Sequence, residues 1–203
     1  MSPSDENFTT GPTEPRIISI LELILLAGMA TVVVLFGWEI LNPKLIRPPP
    51  PPGLETLLDA EDLPVIAKNR EFPLGVQGTS DFSTGKWNRD GQLFGFGDVK
   101  PGDWVEWSLP VAVSGNYVVD LYLTQARDYG IVRPTLNGSL AGPDIDLWAT
   151  DGVIRPTGPV TLGTYRLEAP MASLRLQVVG RNAKNDPPYY QFGIDGVRMA
   201  PAK

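Results

Sequence analysis

The sequence predicts an all-β sandwich carried on one transmembrane helix and a stiff proline linker. Three observations predict it. A nearly unbroken apolar run occupies Ile17 to Leu41, five consecutive prolines stand at Pro48 to Pro52, and from Val76 the chain becomes short alternating stretches broken by Gly, Pro and Asn. The expected divisions are a polar tail over 1–16, a transmembrane helix over 17–41, a proline-rich linker and connecting segment over 42–75, and the sandwich over 76–203.

The apolar run, "IISILELILLAGMATVVVLFGWEIL", has 25 residues. At about 1.5 Å per residue it spans a hydrocarbon core of about 30 Å with tilt to spare. Glu39 lies beside Trp38 at one end, where an interfacial aromatic and a headgroup-level charge are expected. Glu22 lies more than a turn inside the other end, and either reaches the interface or meets a polar partner on another helix. Ala27, Gly28 and Ala30 form a small-residue patch that lets a partner helix approach closely. A cleaved signal peptide is the rival reading, with small residues at "GMA". The preceding tail is acidic and the run continues past that point, so a permanent single-pass anchor is expected. Arg16 on one flank and Lys44 and Arg47 on the other give the positive-inside rule a margin of one charge.

The five prolines cannot join a helix or a sheet ladder, because each lacks an N–H and has φ fixed near about −65°. They form an extended strut of about 15 Å at about 3.1 Å per residue. After them, 54–75 reads as a connection with one short helix near Glu55 to Ala60.

Composition excludes several functions. Lys and Arg number 17 against 23 Asp and Glu, which argues against nucleic-acid binding. Cysteine is absent, so there is no disulfide framework or thiolate metal site. Histidine is absent too, which removes imidazole bases, Ser–His and Cys–His nucleophiles and His-ligated metal, haem or bacteriochlorophyll.

Beyond Val76, "DWVEWSLP" sets Trp104, Glu106 and Ser108 against Val105, Trp107 and Leu109. "NYVVDLYLT", "GIVRPTLNG", "VTLGTYRLE", "SLRLQVV" and "YQFGIDGVRM" follow at turn-bounded intervals, as in an all-β sandwich. Asn137–Gly138 fits a two-residue hairpin that needs positive φ. "KPGD" at 100–103 puts Pro second in a turn before the Trp-rich strand.

The series "GDWVEWSLPV", "GNYVVDLYLTQARDYGIV", "LNGSLAGPDIDLW", "GPVTLG", "LRLQVVGRN" and "YYQFGIDGVRM" resembles bacterial galactose-binding-like jelly rolls, the non-catalytic modules related to carbohydrate-binding modules. The likeness covers roughly 76–201. It implies a jelly-roll β-sandwich, with a strand at "DYGIV", a hairpin at "NG", a loop at "GPDIDLW" and a last strand at "FGIDGVRM". It also implies a role for Asp195 in a structural calcium site, unless that carboxylate serves nearby backbone amides; no other cofactor is expected.

Glycan binding needs aromatic rings for sugar C–H faces and planar polar groups for hydroxyls. Trp87, Tyr129, Trp148, Tyr189 and Tyr190, with Asp144, Asp146 and Asn182, are the candidates for a ligand or a protein partner. Trp104, Trp107 and Trp148 compete for core positions. The stretch "NAKNDPPYYQ" at 182–191 is the most site-like. Asp144 and Asp146 share a face of an extended segment, but nothing marks a cleft around them, and the chain is expected not to be an enzyme.

Two functions follow. A stiff strut suits a clamp, so the leading expectation is a non-catalytic accessory or scaffold subunit of a bacterial inner-membrane complex. Respiratory and photosynthetic reaction-centre–antenna assemblies are the first to examine. Its partners are other membrane subunits and the bilayer, with the sandwich on the periplasmic side. The alternative is a membrane-tethered carbohydrate-binding protein of the cell envelope.

Overall fold

The structure is a computed structural model. It describes residues 55–80, 82, 87, 91–150, 152–185 and 187–202, all within Pro49–Lys203, one of the chain's two compact units. The expectations for the polar tail, for the apolar run with Glu22, Ala27, Gly28 and Ala30, and for the proline strut lie outside the described residues. Among the described residues no helix is long and apolar enough to cross a membrane.

The described strands are β1 (Thr56–Asp59), β2 (Val65–Lys68), β3 (Leu74–Gly78), β4 (Gly91–Gly95), β5 (Trp104–Pro110), β6 (Gly115–Gln125), β7 (Gly130–Leu136), β8 (Ser139–Leu140), β9 (Ile145–Asp146), β10 (Arg155–Leu167), β11 (Met171–Arg181) and β12 (Phe192–Pro201). One sheet runs β10-β6-β12-β4-β3, with β1 also against β12; the other runs β2-β5-β11-β7-β8, with β9 against β7. The result is an all-β two-sheet sandwich.

Period-two alternation builds the core between the sheets. On β5, Val105, Trp107 and Leu109 are each fully buried, while Trp104 and Glu106 are half-buried on the opposite face. There the Arg175 guanidinium lies 3.8 Å from the Trp104 ring centroid and pairs with Glu106 at 2.7 Å. Ala172, Leu174, Leu176 and Val178 on β11, and Val119, Leu121 and Leu123 on β6, supply the matching faces. Each such side chain, fully buried, contributes about 1.5–3 kcal/mol. β12 carries a register irregularity between Ile194 and Gly196, which lets Ile194 and Val197 both reach the core.

Both expected turns form. Asn137 (φ 48°) and Gly138 (φ 77°) make the tight hairpin between β7 and β8, and Asn137 Oδ1 accepts the Ser173 N–H at 2.8 Å. Gly102 has φ 96° after Pro101, and the Asp103 N–H closes the turn onto the Lys100 carbonyl at 3.0 Å.

The start of the sandwich differs from expectation. Thr56–Asp59 is a strand, with only a 3-10 turn (Ala60–Asp62) where a helix over Glu55 to Ala60 was expected. Among the described residues, the first strand to join the sheets is therefore Thr56–Asp59. "TLLD" is too short to reveal a period, and ladder pairing from Thr56↔Met199 to Asp59↔Gly196 decides its state.

β12 also defines the two ends of the sandwich. It starts at Phe192, just after Gln191, whose carbonyl accepts the Gly130 N–H at the head of β7. It finishes at Pro201, opposite Tyr117 of β6 and next to Met199, the partner of Thr56.

Candidate functional site

Loops 126–129, 147–154 and 182–191 meet at the Phe192 end, because the strands that deliver them are in register there: Arg155 faces Gln125, and Arg181 faces Gly130. Backbone bonds stitch the first two loops, with Ala126 N–H on the Leu147 carbonyl and Ala149 N–H on the Ala126 carbonyl, each at 3.0 Å.

Asp146 organises this end. Its Oδ1 accepts the Trp148 N–H at 3.0 Å and its Oδ2 accepts the Asn182 amide at 2.5 Å, joining the loop after β9 to the loop after β11. Asn182 Oδ1 in turn accepts the Lys184 N–H at 3.0 Å. Lys184 Nζ stands 5.4 Å from the centroid of the half-buried Trp148 ring, within cation–π range. Gln125 donates to the Asp146 carbonyl at 3.2 Å and accepts from Arg155 Nε at 3.0 Å. Three residues that the sequence suggested separately, Asp146, Trp148 and Asn182, are thus brought together.

Tyr129 is a core residue and not an exposed ring, with 3% of its surface accessible. It stacks on Phe94 with centroids 5.9 Å apart, and burial pushes its hydroxyl well above the ordinary phenol range. Its parallel bridge to Gln191, a pairing across distant segments, is what draws it in. Tyr190 is half-buried and packs on the same core, while Tyr189 is 41% exposed.

Asn185 is the residue that sequence reading missed. It is 1% exposed, and its amide donates to the carbonyls of Tyr129 (3.1 Å) and Tyr189 (2.9 Å) while accepting the Tyr189 N–H at 3.3 Å. The Arg181 guanidinium donates to its carbonyl. This side chain folds the 182–190 loop back onto Tyr129 and presents Tyr189. A polar loop rich in Asn gives no sequence signal for which Asn turns inward.

Trp87 is half-buried, with its ring 5.0 Å from Phe82 at 55°. Its indole N–H donates to Thr124 Oγ1 at 2.9 Å.

Asp144 is not paired with Asp146 as an acid couple. It is held by Arg133, whose Nε and Nη2 each donate at 2.7 Å, and that hydrogen bonding keeps its carboxyl below the usual range. Asp195 is buried in β12. It acts on Glu61, whose carboxyl is pushed up first by burial and then by Asp59, Asp195 and Asp62. Among the described residues no group of three or more His, Cys, Asp or Glu side chains is placed to hold a metal ion.

No family model matches the chain, and no curated protein matches it. Among solved structures it is similar to a Paenibacillus xanthan lyase, with TM-score 0.58 and 23% identity over 72% of this chain. It spans only 13% of that chain. It is also similar to a family 35 carbohydrate binding module from Clostridium thermocellum, with TM-score 0.45 and 14% identity over 73% of this chain and 99% of that one. A third neighbour is the C-terminal CBM6 of a marine laminarinase from Zobellia galactanivorans, with TM-score 0.44 and 16% identity over 72% and 99% of the two chains. The likeness to the lyase bears on the fold. The expectation of a respiratory or photosynthetic scaffold draws no support from these neighbours.

Proposed function

We propose that this chain is a non-catalytic carbohydrate-binding protein whose glycan surface is the loop end built on Asp146, Trp148, Asn182 and Tyr189, with Trp87 beside it. The observation that carries this reading is the double use of the Asp146 carboxylate, which sets an indole, an amide and an ammonium on one end of a rigid sandwich. Indole and phenol faces suit sugar C–H surfaces, and Asn, Lys and carboxylate groups suit hydroxyls. The Asp146 carboxylate is committed to Trp148 and Asn182, which suits a positioning role. The apolar run 17–41 and the prolines complete the proposal as a tether to the bacterial inner membrane, with the sandwich on its periplasmic side.

The test is retention of the detergent-solubilised full chain on a panel of neutral and acidic polysaccharides, xanthan included. Binding should weaken about tenfold in Trp148→Ala and in Asn182→Ala. Failure to bind any member, or variants that bind as the parent does, overturns the reading.

A further inference from the structure

Behind the loop end lies a chain of hydrogen-bonded polar side chains. The Trp87 indole N–H donates to Thr124 Oγ1 at 2.9 Å, and the Thr124 hydroxyl donates to Gln92 Oε1 at 2.5 Å. Gln92 Nε2 donates to Gln77 Oε1 at 3.0 Å and to the Tyr129 hydroxyl at 3.4 Å. An indole N–H can only donate, so Thr124 accepts from Trp87 and passes its own proton to Gln92 Oε1.

The fold gives up packing to house this chain. Thr124 and Gln92 are both fully buried, in places where apolar side chains would contribute more. Gly193, opposite Thr124 on β12, leaves the room that Gln92 occupies: a Cβ there would stand 2.2 Å from Gln92 Oε1. A strand-interior glycine weakens a strand, and marks a close approach. A connected network of buried hydrogen bonds fixes the groups attached to it. One attached group is Trp87. The other is Tyr129, whose carbonyl holds Asn185 and, through it, the loop bearing Tyr189.

We infer that Gln92 and Thr124 are positioning residues, which lock the Trp87 ring and tie it to the Tyr129–Asn185 support of the Tyr189 loop, so that both aromatics are set before a glycan arrives. The affinity consequence rests on the carbohydrate-binding reading; the locking of Trp87 does not.

The experiment uses the full chain with isotope-labelled tryptophan, the Trp87 indole resonance being assigned by its loss in Trp87→Phe. Thr124→Val keeps the shape of the side chain and removes the hydroxyl. Exchange of the Trp87 N–H with solvent should speed up about tenfold, and affinity for a polysaccharide bound by the parent should fall about tenfold. Thr124→Ser should restore both. The Trp107 indole, buried in the core, reports whether each variant is folded. Unchanged Trp87 exchange in a folded Thr124→Val variant overturns the inference, and so does faster exchange with undiminished affinity. If Thr124→Val does not fold, Trp87→Phe carries the affinity arm, and parent-like binding by it overturns the inference. If the parent binds no polysaccharide, the functional reading fails while the exchange measurement still decides whether Trp87 is locked.

Discussion

Arg70 holds Asp103 through two parallel bonds, Nε to Oδ1 at 2.8 Å and Nη2 to Oδ2 at 2.6 Å, and so fastens the β2–β3 connection to the turn that launches β5. The same guanidinium reaches Asp98 at 3.0 Å, and Lys100 N–H adds a bond to Asp103 at 2.7 Å. Burial works to raise the Asp103 pKa, but these partners hold it below the ordinary carboxylate value. Glu106 behaves alike, with burial outweighed by Arg175. A carboxylate with a depressed folded-state pKa contributes stability above its unfolded value of about 3.9, and loses it as pH falls through the folded value. Urea midpoints should therefore drop below about pH 4. Arg70→Met should lower the urea midpoint at neutral pH and flatten that acid dependence. An unaltered acid slope in the variant counts against the assignment.

Gly95 faces Phe192 across β4 and β12, and a Cβ at 95 would stand 2.3 Å from the Phe192 ring. Gly95→Ala should destabilise by about 1–3 kcal/mol. Adding Phe192→Leu should recover part of that loss, so the two changes are non-additive in thermal unfolding. Simple additivity would show that the glycine has another role.

The two tryptophans of β5 should separate cleanly. Trp107→Ala empties a fully buried site and should cost about 3–5 kcal/mol. Trp104→Ala removes a ring that packs under Arg175 on the outer face, and should cost about 1 kcal/mol. Comparable losses in chemical denaturation would contradict the facing of this strand.

The two sides of this strand were legible in "DWVEWSLP", although Trp104 and Trp107 competed for the core and only the structure puts Trp104 outside; the Asn137–Gly138 hairpin was legible because few residues tolerate positive φ in succession. β1 was not legible. Its four residues lack a period, and their state comes from β12, far along the chain. The candidate site divides the same way. Asp146, Trp148 and Asn182 were recognisable by side-chain chemistry, whereas Tyr129 and Asn185 turn inward through the bridge to Gln191 and the bonds that fold the last loop back. Residue type announces what a group can do; only long-range pairing fixes which way it points.

Membrane topology gives a further prediction. Protease added to spheroplasts should remove the β-sandwich from the tethered chain, because the proposed placement is periplasmic. Protection until the membrane is permeabilised means the opposite orientation.

Asp146→Ala should abolish the tie between Trp148 and Asn182 and weaken polysaccharide retention about tenfold, with little change in the unfolding midpoint because Asp146 is exposed. No glycoside turnover is expected from the parent chain. Reproducible turnover that disappears in this variant would make the protein an enzyme.

The pairing of β1 with β12 sets how the sandwich bears a load. Thr56 lies beside Met199, at the end of β12 far from Phe192, and β1 runs from there back toward the loops. Tension between the chain ahead of Glu55 and anything gripped by the loops acts along the strand axis. The rungs from Thr56↔Met199 to Asp59↔Gly196 are then sheared together instead of being peeled one at a time. Single-molecule pulling from residue 55 against the loop end should meet higher rupture forces than pulling across the sheet.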